Sequence, residues 1–335
     1  MPDPDARDFT WADGDRLIRF GEVHDADVLE LLESHGLSPF VLLTGRLNPL
    51  PALASRAAAR LPVPPGPVPD AAAAVRTEVE GRSLVALGGG RVIDSAKAIA
   101  GADGLRCAAI PTTLSGAEMT PFHRMPAGVN EWHLVRPELV VAIPSLMGSQ
   151  PTPDLAASAM NALAHAVEAL YTPMANSTAA DAALRAAHLI SAAFESEPPA
   201  REDLALGSLL AGYASGIAGI AVHHAVCQTI VRAAGTPHAY TNAIMLPHSV
   251  RMMEARAPDA IARLARAFGV AEEGGAGAWV TELAARAGKT RLSELGVDST
   301  ILDAVVATAL EHPALGNTPD PPEADELRAM LTAAL

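Results

Sequence analysis

The stretch Ser83 to Ala100, SLVALGGGRVIDSAKAIA, limits the fold more than any other part of the chain. SLVAL is a short, continuous apolar run, the pattern of a strand buried on both faces of a parallel sheet. Gly88, Gly89 and Gly90 make a glycine turn, and apolar spacing from Val92 to Ala100 begins a helix. A strand, a glycine turn and a helix N-terminus together form a phosphate cradle. Glycines let the backbone approach an anion, and the free N–H groups and helix dipole face it. The spacing is not G-x-G-x-x-G, so the usual dinucleotide fingerprint does not apply.

The same alternation extends on both sides. RLIRF, residues 16–20, reads as an edge strand, and 25–35 as a short amphipathic helix stopped by Gly36. PFVLLT, residues 39–44, is another buried-strand run. Residues 50–61 read as an Ala-rich helix, 63–69 (VPPGPVP) as a loop, and 70–79 as a helix. A strand at 106–110 runs into PTTLSGAEMT, residues 111–120. The hydroxyls and amides of that loop suit a second anion or ribose contact, at the strand end where α/β sheets bind ligands. Leu139 to Ile143 is the last strand. From Pro151 onward strand-like runs stop. Helices are expected at 154–171, 177–195, 201–223, 225–234, 241–254, 258–268, 275–286, 299–311 and 322–335. The expected fold class is therefore an α/β N-terminal dinucleotide-binding domain with a parallel sheet (1–150), followed by an all-α C-terminal domain (151–335). A ligand is expected in the cleft between such halves. Low aromatic content (4%) and an apolar half built from Ala, Leu and Val fit this better than a β-sandwich.

A net charge of −14 argues against nucleic-acid or anionic-membrane partners. Cys107 and Cys227 are too few for a disulfide framework, which points to the cytoplasm. The N-terminal MPDPDARDFT has no basic or apolar segment of a signal peptide. Apolar runs such as 209–222 are interrupted and short for a membrane span.

The second half carries a polar constellation. SAMNALAHAVEALY, residues 158–171, reads as a buried helix holding Asn161 and His165 on one face, one turn apart. In the stretch 219–248, GIAVHHAVCQTIVRAAGTPHAYTNAIMLPH, His224 and Gln228 share a helical face, and His238 follows a Gly-Thr-Pro turn. These groups can converge. Three imidazoles and an oxygen donor suit a divalent first-row metal such as iron or zinc. Asn161 is neutral, however, and a metal-free pocket holding a substrate carboxylate or carbonyl fits equally. His133, His188 and His312 are read as surface histidines.

GGGRVIDSAKAIA, PTTLSGAEMTP, MNALAHAVEALY and HHAVCQ…PHAYTNAIMLPH, in this order, resemble the iron-containing alcohol dehydrogenase superfamily, whose fold is that of dehydroquinate synthase. Within it the chain is most similar to maleylacetate reductases, with Asn161 where metal-dependent members carry Asp. The resemblance implies NAD or NADP on Gly88, Gly89 and Gly90, with Asp94 and Lys97 nearby and Thr112 and Thr113 on the nucleotide. It places the metal positions at His165, His224 and His238, with Asn161 as the fourth. Asn161, His165, His224, Gln228 and His238 are the implied catalytic residues, in a homodimer. Four features depart from the pattern. Gln228 replaces a usual histidine, Arg91 and Ala117 replace usual serines, and the segment 125–139 lacks a Lys/Arg-rich Asp-Pro pattern.

The expected activity is NAD(P)-dependent hydride transfer with a small carboxylated carbonyl, enone or hydroxy substrate. The alternative is oxidative decarboxylation of the C-terminal Thr, a β-hydroxy acid, of a ribosomal precursor peptide in daptide-type natural-product biosynthesis. A lyase like dehydroquinate synthase and a non-catalytic binding partner are the remaining classes.

Overall fold

The computed structural model of the chain describes residues 6–45, 49–270 and 275–335. Residues 1–5 of the stretch read for a signal peptide lie outside the described residues. The chain forms two compact units, Met1–Ser149 and Gln150–Leu335.

The first unit is built on a seven-stranded sheet: β1 (Phe9–Asp13), β2 (Arg16–Phe20), β3 (Phe40–Thr44), β4 (Ala59–Pro62), β5 (Ser83–Gly88), β6 (Cys107–Pro111) and β7 (Leu139–Ala142). The order is β1-β2-β7-β6-β5-β3-β4. Every pairing is parallel except β1 with β2. The continuous apolar runs are the buried central strands, because helices cover both faces. Alternate residues feed two cores. Val41, Leu43, Leu84 and Ala86 pack with the helices α3 (Val68–Arg76) and α4 (Gly90–Asp103). Phe40, Leu42, Val85 and Leu87 pack with α1 (Asp25–Ser34) and α2 (Pro51–Arg56). A short α5 (Pro144–Met147) closes the unit.

Two sequence expectations change here. RLIRF is not an edge strand, because β1 pairs along its outer side. β1 alternates half-buried and exposed residues, a weak signal over five positions. The helix expected over 50–61 ends at Arg56, and ARLP forms β4 on the other edge. Pairing with β3 overrides the helical preference of an Ala- and Arg-containing run.

From β3 the chain crosses to β4 on one side, then returns to β5 on the other and continues to β6. The carboxyl ends of β3 and β5 thus flank a topological switch point, where open α/β sheets hold their ligands.

The second unit is helical: α6 (Thr152–Glu168), α7 (Ser177–Ala193), α8 (Arg201–Ala218), α9 (Val222–Ala234), α10 (His238–Arg256), α11 (Pro258–Phe268), α12 (Gly275–Ala285), α13 (Leu302–Leu310) and α14 (Ala324–Ala334). Every residue of α6 from Leu155 to Glu168 is buried. A helix apolar on nearly all sides is a core helix, and α6 packs against α7, α8, α10 and α12. At Gly207 an added methyl would sit 2.8 Å from Ile190 Cγ1, so α7 and α8 approach as closely as glycine permits. The helix expected over 201–223 stops at Ala218, where Gly219 takes φ +87°. A side chain at that φ is strained. His238, expected on a loop, is the first residue of α10.

Candidate active site

The glycine turn of the first unit is shaped by close approach. Gly89, the N-cap of α4, has φ −80°, which other residues also adopt. Space is what excludes them: a methyl at Gly88 would lie 2.7 Å from Val92 Cγ2, and one at Gly89 3.0 Å from Thr113. Gly88 lies opposite Pro111 in the sheet, and its carbonyl accepts the Thr112 N–H at 3.0 Å. A cavity of about 330 Å³ opens here, lined by Gly45, Leu87 to Val92 and Thr112. It faces the first N–H groups of α4, which have no partner inside the helix and attract an anion. Gly88, Gly89, Gly90 and Thr112 therefore gather at one cavity, and Thr113 supports the turn from behind.

Lys97 stands differently. Its ammonium is fully buried and donates to Asp94 Oδ1 (2.8 Å), Ala117 O (2.9 Å) and Phe122 O (2.7 Å). An ammonium has three donors, so Lys97 ties the Thr/Ser loop to α4 and has none left for a phosphate. The expectation that Lys97 serves the cofactor is corrected accordingly. Beside it Glu118 is completely buried, and neither carboxyl oxygen has a hydrogen-bond partner among the described residues. Burial pushes its pKa up to about 7, against the pull of Lys97.

In the second unit, α6, α8, α9 and α10 gather the polar groups into one cluster. His165 and His224 stack with ring centroids 4.1 Å apart, and His223 meets His224 edge-on at 5.1 Å. His165 Nδ1 bonds Ser215 Oγ at 3.1 Å. His223 is held at both ring nitrogens, by Ser249 Oγ (3.0 Å) and Asn242 Oδ1 (2.8 Å). Tyr240 O–H donates to Asp154 at 2.7 Å, fixing the start of α10 and with it His238.

Glu168, the last residue of α6, is the residue the sequence reading missed. Its carboxyl is 1% exposed, its Oε2 lies 2.5 Å from His224 Nδ1, and its Oε1 accepts the His224 backbone N–H at 3.2 Å. It thus also caps the first turn of α9. Asn161, His165 and Glu168 are spaced i, i+4, i+7 and share one face. The single acid within the buried stretch Leu155–Glu168 was the available signal. Burial pushes Glu168 above the usual carboxylate range and His224 down to about 3, so the imidazole is uncharged at neutral pH. His224 Nε2 is buried and has no partner among the described residues.

His312 is also corrected. It lies at the N-cap of a 3-10 turn (Pro313–Asn317), with Nε2 3.3 Å from Gln228 Oε1, and its charge would be felt at His224. The turn spans over eighty residues of sequence to reach α9, a distance no local spacing reveals. His133, paired with Glu131, and His188 lie exposed as expected.

Residues 155–335 match the C-terminal domain of the Fe-containing alcohol dehydrogenase family. The chain belongs to that family. Maleylacetate reductase 1 of Rhodococcus opacus is 38% identical over 74% of this chain and 72% of its own length. Maleylacetate reductase of Rhizobium sp. (strain MTP-10005) is 32% identical over 97% of both. The crystal structure of maleylacetate reductase from Agrobacterium tumefaciens superposes with a TM-score of 0.81 at 31% identity, covering 98% of this chain and 97% of that one. These relatives are oxidoreductases by name, and the chain is an enzyme of that class with their α/β-plus-helical fold. No single helix among the described residues is long and apolar enough to cross a membrane.

The family's name carries a metal, but this donor set does not fit one. Among the described residues no three His, Cys, Asp or Glu side chains gather to hold a metal ion. Asn161 brings no charge, and Gln228, in place of an imidazole, engages His312. His165 and His224 sit instead in a hydrogen-bonded cluster, and His238 stands at the first position of α10.

Proposed function

We propose that the chain is an NAD(P)-dependent reductase acting on a small, carboxylated enone or carbonyl substrate of the maleylacetate kind. The observation that carries this is the Glu168–His224 pair with its buried, open Nε2. Support for the cofactor comes from the glycine cavity at the sheet's switch point and from the relatives' activity. The cradle takes the pyrophosphate at Gly88, Gly89 and Gly90 and the α4 N-terminus.

When bound, the nicotinamide supplies the hydride. The protein's task is the proton and the developing oxyanion. Protonated Glu168 donates to His224 Nδ1, which leaves a proton on Nε2. As substrate oxygen takes the Nε2 proton, the Glu168 proton passes to Nδ1. Glu168 ends as a carboxylate and regains its proton from solvent. No buried imidazolium accumulates, in keeping with a His224 pKa near 3. His165 braces the His224 ring by stacking, and His238, Asn161 and Gln228 supply further polar contacts to substrate.

The test is oxidation of NADH or NADPH by maleylacetate. Turnover that needs His224 supports the reading, and its absence with both cofactors opposes it. A second reading keeps the cofactor and runs the reaction the other way, with the substrate oxidised. A β-hydroxy acid such as a peptide's C-terminal Thr would become a β-keto acid and lose CO2. NAD+-dependent CO2 release from a Thr-terminated peptide would select it.

A further inference from the structure

We propose that His312 is a positioning residue: it holds the Gln228 amide turned so that the NH2 group, not the oxygen, meets the substrate. This rests on reading the second unit's polar cluster as the substrate site. His312 Nδ1 accepts the backbone N–H of Ala314 at 3.2 Å. A neutral imidazole that accepts at Nδ1 carries its proton on Nε2. That Nε2 lies 3.3 Å from Gln228 Oε1, so the N–H donates to the amide oxygen. Gln228 then has its oxygen engaged and two N–H donors left.

Those donors sit beside the proposed reaction centre. Gln228 is one turn beyond His224 on α9, on the same face, and His224 Nε2 is buried with no hydrogen-bond partner among the described residues. The turn that brings His312 is fastened: Asn317 Nδ2 donates to Ile220 O at 2.9 Å, at the α8–α9 connection. His312 therefore arrives on anchored backbone. A fixed pair of uncharged N–H donors suits a carboxylate or carbonyl oxygen. An imidazole at position 228, which the resemblance leads one to expect, offers at most one donor there. His312 and Gln228 act as a unit and tune this chain towards an oxygen-rich substrate end.

The test uses the full chain with nitrogen-15-labelled histidine, as wild type, His312→Asn, Gln228→Leu and the double variant. His312→Asn keeps an acceptor for the Ala314 N–H, since Asn is a good N-cap, but is too short to reach Gln228. His312→Asn identifies the His312 signals. In the wild type they are expected to report an Nε2–H tautomer, and Gln228→Leu to shift its Nε2 resonance. Adipate, a saturated dicarboxylate, is titrated into NADH-saturated protein. Each single variant is expected to weaken adipate binding roughly 3- to 10-fold, the size of one lost hydrogen bond. The double variant is expected to lose no more than either single one, with Tm and NADH affinity unchanged. An Nδ1–H tautomer at His312 overturns the proposal, as does a Gln228→Leu variant with an unmoved Nε2 signal. A further loss from His312→Asn in the Gln228→Leu background overturns it too. A wild type that binds NADH but not adipate contradicts the carboxylated-substrate reading alone, and the tautomer and its response to Gln228→Leu then decide the role of His312.

Discussion

The chemistry of the second unit turns on one contact, Glu168 with His224 at 2.5 Å. Glu168→Gln keeps the shape but cannot pass a proton to Nδ1. Its turnover should fall by about 10²-fold, within the usual range for a positioned acid–base group, while NADH affinity stays the same. Steady-state kinetics with a cofactor titration checks both halves, and an unchanged kcat would remove Glu168 from the mechanism. Asn161, His165, His224 and Gln228 were legible in the sequence because helical spacing places each pair on one face. His312 was not, since only the tertiary fold brings it to α9, and Glu168 was passed over because a single acid gives no periodic signal. Lys97 carried the opposite lesson. A lysine beside a glycine turn reads as a phosphate ligand, but burial and two backbone carbonyls turned it into a brace.

At the scale of elements, the loop from Pro111 to Thr120 is held to α4 by Lys97 and contains the Glu118 carboxyl, which has no hydrogen-bond partner among the described residues. Glu118 is raised from 4.5 to about 7, so its contribution to stability is present below pH 4.5 and is lost as pH rises through about 7. Glu118→Gln stays neutral throughout. It should be more stable than the wild type at pH 8, by up to about 3 kcal/mol for a shift of this size, and nearly equal to it at pH 4.5. Thermal unfolding at the two pH values decides it, and an equal offset at both would contradict the burial argument. The close approach of α4 to the following segment gives another test. A methyl at Gly101 would run into the His133 carbonyl oxygen. Gly101→Ala should cost about 1–3 kcal/mol, the usual cost of overpacking, measured by denaturant unfolding. The buried strands β3, β5, β6 and β7 were readable as apolar runs. β1 and β4 were not, because short edge strands owe their form to the neighbour they pair with.

For the whole molecule, two buried histidines make the helical unit acid-sensitive. His223 and His224 are both held down at about 3 by burial, against an ordinary value near 6.5. The unfolded chain binds those protons first, so stability should fall as pH drops from about 6.5 towards 3. Hydrogen exchange across that window should show loss of protection in α9 and α10, and protection there that stays constant would contradict it. The change in periodicity near residue 150 marks the passage from strands to helices, and the chain divides in sequence between Ser149 and Gln150. The most direct measurement is oxidation of NADH or NADPH by maleylacetate, using chelator-dialysed protein as wild type, His224→Ala and Glu168→Gln. The predicted result is turnover in the wild type and its near loss in both variants, with cofactor binding intact. Turnover unaffected by His224→Ala, or no oxidation of either cofactor by the wild type, would contradict it.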